Sequence, residues 1–179
     1  NFPDYANSKE QIAVDLAKVA ETGFTDIVVD VRPTMGDVLF KTDVLPMITK
    51  LDYWSDRGYQ YFYRTETWDY LQAFIDAGHE VGLRVHAGVN TMVGGKLYPY
   101  GLGSDGMLFR DSSRKEWASV LNLEGGLTNM MDTDDDAYSA KFLNPAHPEV
   151  VAFLLDMLED LASYEDLDGI FLDRCRYDC

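Results

Sequence analysis

An aspartate that ends an apolar run, with cations crowded behind it, is the pattern in this chain with the clearest chemical use. Asp173 closes Ile170-Phe171-Leu172, and Arg174, Arg176 and Tyr177 follow it. A short continuous apolar run reads as a buried parallel strand, and a strand that stops on a carboxylate delivers that group to its C-terminal end. In a β/α barrel the C-terminal strand ends carry the chemistry. Asp173 is therefore the candidate catalytic residue, with Arg174, Arg176 and Tyr177 as candidate substrate contacts.

Three earlier stretches set polar side chains near strand ends in a similar way. Asp30 and Arg32 close the β-branched TDIVVDV (25–31), His86 and Asn90 belong to VGLRVHAGVN (81–90), and Asn144 ends AKFLNP (140–145). If these segments are parallel neighbours, all five side chains converge on the face that holds Asp173. Each also has a plainer use: Asp30 in a pair with Arg32, His86 as a satisfied core histidine, Asn90 and Asn144 in turns or helix caps.

The elements that would position these groups alternate. Ser8 and Gln11 fit a capping box ahead of Ile12, Leu16, Val19 and Ala20, with Gly23 as a C-cap. Thr67 can cap a helix whose Trp68, Leu71, Phe74 and Ile75 face inward. Pro148 opens a third helix with Val150, Val151, Leu154, Leu155, Leu158 and Leu161 on one face. Residues 33 to about 64 read as a long loop carrying short strands, and the glycine-rich stretch from Thr91 to Ser139 as an excursion without clear period. Helix and strand in alternation imply a parallel sheet with right-handed crossovers. Four strands cannot close a barrel, which takes eight and typically ~250 residues. The expectation is a single domain, 1–179, forming the first four strands of a longer (β/α)₈ barrel. A small doubly wound sheet and two paired half-barrels are the alternatives.

Composition removes several functions. With 15 Lys and Arg against 31 Asp and Glu the formal charge is −16, which repels phosphate backbones and gives none of the counterion release that nucleic-acid binding uses. No apolar run is long enough to span a bilayer, and the first residues lack the regions of a signal peptide. Cys175 and Cys179 would stand roughly 13 Å apart in an extended segment, too far for a disulfide unless a tight turn joins them. Three scattered histidines (His79, His86, His147) do not make a zinc site. The acidic run Asp132–Asp136 has Ala137 where a calcium loop of the EF-hand type needs glycine, so it reads as a solvated loop. No metal or cofactor is expected.

Four motifs taken together, VRPTMGDVLF, LRVHAGVN, FLNPAHPEV and DGIFLDRCRYD, resemble the glycosyl-hydrolase-like family ten, which is similar in plan to the α-amylase clan of barrels. The similarity runs from about Ser8 to Asp178 and is looser over the excursion. It implies a (β/α)₈ barrel that cleaves O-glycosidic bonds in an oligo- or polysaccharide, and it implies export, to the periplasm, the cell surface or the extracellular space. In the clan the fourth strand ends in a nucleophilic aspartate, and Asp173 matches that position; where the clan has an arginine two residues earlier, this chain has Phe171. The clan's general acid sits on the next strand, outside this sequence.

On that resemblance, Asp30, Arg32, His86, Asn90 and Asn144 would hydrogen-bond sugar hydroxyls, and Phe171, sharing strand parity with Asp173, would pack beneath the carboxylate and desolvate it. Glycoside cleavage uses two carboxyl groups, ~5–5.5 Å apart for retention and ~6.5–9.5 Å for inversion. One can be nominated here; the rest of the barrel would bring the second. The alternative class is a non-catalytic carbohydrate-binding or scaffold protein on the same fold. The aromatic loop from Tyr53 to Tyr63, with Tyr98, Tyr100 and Trp117, can stack on sugar rings or simply pack; Tyr59, Tyr61 and Tyr63 alternate as in a strand and so can display one face.

Overall fold

The computed structural model describes residues 7–99, 102–133 and 139–177, apart from the side chains of residues 52–55. Tyr100, Cys179 and most of the acidic run lie outside these residues, as do the side chains of Tyr53 and Trp54. The chain is a mixed α/β protein with parallel and antiparallel strands.

One sheet holds β1 (Asp26–Arg32), β4 (Arg84–Asn90) and β10 (Gly169–Asp173), in the order β1-β4-β10. Partners rise in number together along both pairs. The Arg84 amide donates to the Thr25 carbonyl at 2.9 Å, and the Asn90 side-chain amide to that of Arg32 at 2.9 Å. The Asp168 amide donates to Val85 at 3.0 Å and the Thr91 amide to Asp173 at 2.8 Å. The three strands are therefore parallel. The expected third strand does not stand among them. Residues Ala140–Phe142 form β9, which pairs antiparallel with β5 (Val93–Leu97) in a separate sheet with β6 (Ser104–Asp105). Asp173 thus ends the third strand of its sheet.

Two compact units are distinguished: Asn1–Val31, Val38–Gly88 and Leu161–Phe171 in the first, Arg32–Asp37, Val89–Asp160 and Leu172–Cys179 in the second. In the first, α1 (Lys9–Glu21) starts where Ser8 accepts the Gln11 amide at 3.0 Å. The reciprocal half of the capping box is not made, because the Gln11 side chain reaches forward to Asp15 instead. Helix α2 (Tyr70–Glu80) is capped by Asp69, two residues after the expected Thr67, with its carboxylate on the Gln72 amide. The two helices bury Ile12, Leu16, Leu71 and Ile75. At Gly78 a Cβ would lie 2.5 Å from the Val85 side chain, so glycine lets α2 press onto β4. The expected short strands of the loop are a hairpin, β2 (Lys50–Ser55) with β3 (Gly58–Tyr63).

In the second unit the excursion is regular, in pieces too short to show a period: α3 (Met107–Arg110), a 3₁₀ turn over Ser112–Trp117, and the hairpin β7 (Val120–Leu123) with β8 (Gly126–Asn129). Gly106 makes the tightest approach. At φ +106°, any Cβ there would strike the Met35 carbonyl and the Gly95 backbone. Helix α4 (Pro148–Ala162) buries Val150, Phe153, Leu154, Met157 and Leu161, whereas Val151 and Leu155 of the expected face are exposed. A helix this rich in apolar residues offers two overlapping stripes, and its pattern does not say which one is covered.

Candidate functional site

In the second unit, Arg32, Asn90 and Asp173 are joined into one hydrogen-bonded frame. The Arg32 side chain is fully buried. Its guanidinium donates to the Asn90 carbonyl, to that of Thr91 at 2.9 Å and to that of Val93 at 2.6 Å, and it lies 5.9 Å from the centre of the Phe153 ring. Asn90, also buried, returns a bond to the Arg32 carbonyl, and the Thr91 amide holds the carbonyl of Asp173. The ends of β1, β4 and β10 are thereby fixed together. Sequence reasoning missed Thr91, whose contribution is a backbone amide and carries no side-chain signal.

Asp173 itself is exposed. Its Oδ1 accepts the Arg174 amide at 2.8 Å, and Arg174 takes φ +46°, the left-handed region that residues other than glycine rarely adopt. Conformations of this kind cost of order 1–3 kcal/mol and gather at functional sites. The desolvation expected from Phe171 is absent: that ring is 55 % exposed and the carboxylate is open to water. Arg176 and Tyr177 are exposed beyond the turn, and Cys175 is exposed with them.

Arg32 belongs to the frame in a role other than the expected one, and Asp30, His86 and Asn144 sit elsewhere. Arg32 presents its charge to backbone carbonyls inside the fold, the opposite of the exposed substrate contact expected of it. Asn144 lies after β9, where its Oδ1 accepts the Ala146 amide at 3.0 Å and shapes the entry to α4. Asp30, in the first unit, is exposed and close enough to the buried Tyr70 that its charge helps burial push the phenol upward. His86 belongs to the N-terminal half of β4. Its Nε2 donates to Asp26 at 2.8 Å, and it packs against Gly169, where a Cβ would stand 2.7 Å from Nδ1. Both partners open their strands, so His86 lies at the end opposite to Asn90, about 13 Å away by strand rise. The sequence places it near the wrong end because the apolar stretch starts at Val81, three residues before β4 itself.

That same cluster sets an acid response. Arg84, then His86 and Thr25, hold the Asp26 carboxyl well below the usual carboxylate range. A depressed carboxyl stabilises the fold above its unfolded value near ~4 and loses that contribution as pH falls through the folded value. The thermal midpoint of the wild type is expected to fall more steeply below pH 4 than that of Asp26→Asn, and salt should shrink the difference, since the pair is partly exposed. Parallel acid profiles would contradict this assignment.

A second feature absent from the expectations is the Arg110 clamp. Its guanidinium binds both oxygens of Asp37, at 2.8 and 2.5 Å, and Asp105 at 2.7 Å, which fixes the loop after β1. Among the described residues no group of three His, Cys, Asp or Glu side chains is placed to hold a metal, and no helix is long and apolar enough to cross a membrane.

These features describe an α/β protein with an exposed carboxylate held at the end of a parallel strand by a buried polar frame. The chain belongs to the glycosyl hydrolase-like 10 family, whose model matches residues 1–178. An S-layer-related protein of Niallia circulans is 28% identical over 173 residues, which is 94% of this chain and 10% of that protein; the chain spans about a tenth of its relative's length. A hypothetical protein of Ruminiclostridium thermocellum, known from its crystal structure, shares the fold with TM-score 0.58 at 17% identity, covering 97% of this chain and 74% of the other.

Proposed function

We propose that the chain forms part of a (β/α)₈ glycosidase, in which Asp173 is the nucleophile or charge-stabilising carboxylate and Arg174, Arg176 and Tyr177 lie beside the substrate. The observation that carries this reading is the presentation of Asp173: an exposed carboxylate at the C-terminal end of a parallel strand, set by a left-handed residue behind it and anchored through Thr91 to the Arg32–Asn90 frame. Membership of a glycosyl hydrolase-like family supports this reaction class. The barrel reading draws support from β1 and β10, the outer strands of their sheet, where Val28, Phe171 and Leu172 are 57, 55 and 45 % exposed. Apolar side chains on open strands are what further strands and helices would cover.

Because glycoside cleavage needs a second carboxyl group, the 179-residue chain by itself is expected to release no reducing sugar from any glycan, whereas a chain extended through the next strand should. Robust hydrolysis by the 179-residue chain would refute the half-barrel reading. The other reading is a cell-surface carbohydrate-binding protein without turnover, favoured by the S-layer-related relative. An extended chain that binds glycan with no acid or base carboxylate within ~10 Å of Asp173 would decide for it.

A further inference from the structure

We propose that the β2–β3 hairpin and the cleft at its base form a subsite for a neutral polysaccharide, with Tyr63 as the stacking platform. The proposal rests on the carbohydrate reading above and adds where the glycan is held. The hairpin register runs from Lys50 opposite Tyr63 to Ser55 opposite Gly58, so Tyr59, Tyr61 and Tyr63 share one face of β3. Their rings follow one another at centroid distances of 6.2 and 6.4 Å, and Lys50 Nζ sits 4.6 Å from the centre of the Tyr61 ring. The row ends in Tyr63, 66 % exposed, a large aromatic surface left open to water.

Tyr63 is also a wall of a cleft of about 590 Å³ that Met47, Thr49, Glu66 and Thr67 help to line, within the ~300–1,000 Å³ range of small-ligand sites. The cleft is built on a rigid floor. Arg64 is buried there, its guanidinium donating to the carbonyls of Glu66 and Trp68 at 2.7 and 2.8 Å and stacked 4.8 Å from the centre of the Trp68 ring.

A pyranose ring has one face of C–H groups and a rim of hydroxyls. An open tyrosine ring beside exposed threonine hydroxyls complements both, because tyrosine joins an apolar face to a polar tip. Charge selects among glycans. The Arg64 charge is turned to carbonyls, Glu66 adds a negative charge to the cleft, and the whole chain carries −16. Lys50, on the Tyr61 ring, sets a positive charge against these, and the net field still disfavours a polyanionic glycan relative to a neutral one.

The test is affinity electrophoresis of the full chain through gels containing hydroxyethylcellulose, arabinoxylan or glycol chitin, with polygalacturonate as the anionic comparison. At least one neutral polysaccharide should retard the wild type. Tyr63→Ala should lower that affinity by about tenfold, and Tyr63→Trp should preserve it. Tyr63 is exposed enough that its loss should not disturb folding, which an unchanged thermal midpoint will show; the tryptophan variant gives an independent reading should alanine fail to fold. Retardation by no neutral polysaccharide, equal retardation of Tyr63→Ala, or tighter binding of polygalacturonate would overturn the proposal. Tyr63-dependent retention without turnover by the extended chain would keep the subsite and remove the glycosidase; turnover with Tyr63-independent binding would do the reverse.

Discussion

Asp173→Asn in a catalytically complete protein is expected to lower kcat by about 10³-fold or more while glycan binding stays within a few-fold of wild type. A factor of 10³ corresponds to about 4 kcal/mol of transition-state stabilisation, the scale of an interaction made only as positive charge develops at the anomeric centre. The substitution is informative because it keeps shape. Asparagine retains the oxygen that accepts the Arg174 amide at 2.8 Å, and at an exposed position the stability change should stay within about 0.5 kcal/mol. Lost turnover would therefore report lost charge. If Asp173 serves only to fasten the turn at Arg174, its amide does the same work and the variant is silent in the kinetics. A loss confined to KM would move the residue from chemistry to uniform substrate binding.

How far the sequence alone could lead is seen in three residues. The strand ending at Asp173 was legible because an apolar run that stops on a carboxylate is a local pattern; its burial was not, since Phe171 and Leu172, read as buried, are exposed. His86 was misplaced because a strand's length, more than its composition, decides which residues stand at its tip; β4 begins at Arg84, and His86 faces the openings of β1 and β10. Asn144 had the right kind of side chain for a site, yet its carboxamide is used two residues on, a turn no less compatible with FLNP than a strand end. The place of β9 was not legible either. Its partner β5 lies in the excursion, and antiparallel pairing between two short segments leaves no periodicity from which a neighbour can be read. The tyrosine row on β3 was legible, since alternation every second residue is the signature of a strand face.

Arg32 carries the largest expected effect on stability. A buried guanidinium is tolerated where its charge is met by acceptors, and here its two terminal nitrogens donate to the carbonyls of Asn90, Thr91 and Val93 around the chain's exit from β4. Arg32→Ala removes the donors and leaves those acceptors facing a void too small to hydrate them well. At ~1–3 kcal/mol for each buried group left unpaired, with relaxation recovering part of it, the loss is about 4 kcal/mol. For a chain of this size that lowers the thermal midpoint by about 10 °C or more. Arg32→Lys keeps the charge but cannot span carbonyls in three directions from one planar group, so it should recover less than half of the loss. The same substitution distinguishes the two uses of an arginine at a strand end. A residue that contacts substrate would leave the midpoint unchanged and cost only affinity, whereas the buried frame predicts a midpoint that falls in the absence of any glycan. Because the frame also fixes the Asp173 backbone through Thr91, partial loosening by Arg32→Lys should lower kcat in an active protein without changing which glycans bind at Tyr63. An unchanged midpoint in Arg32→Ala would show that the carbonyls are satisfied in another way and that the strand ends do not depend on this residue.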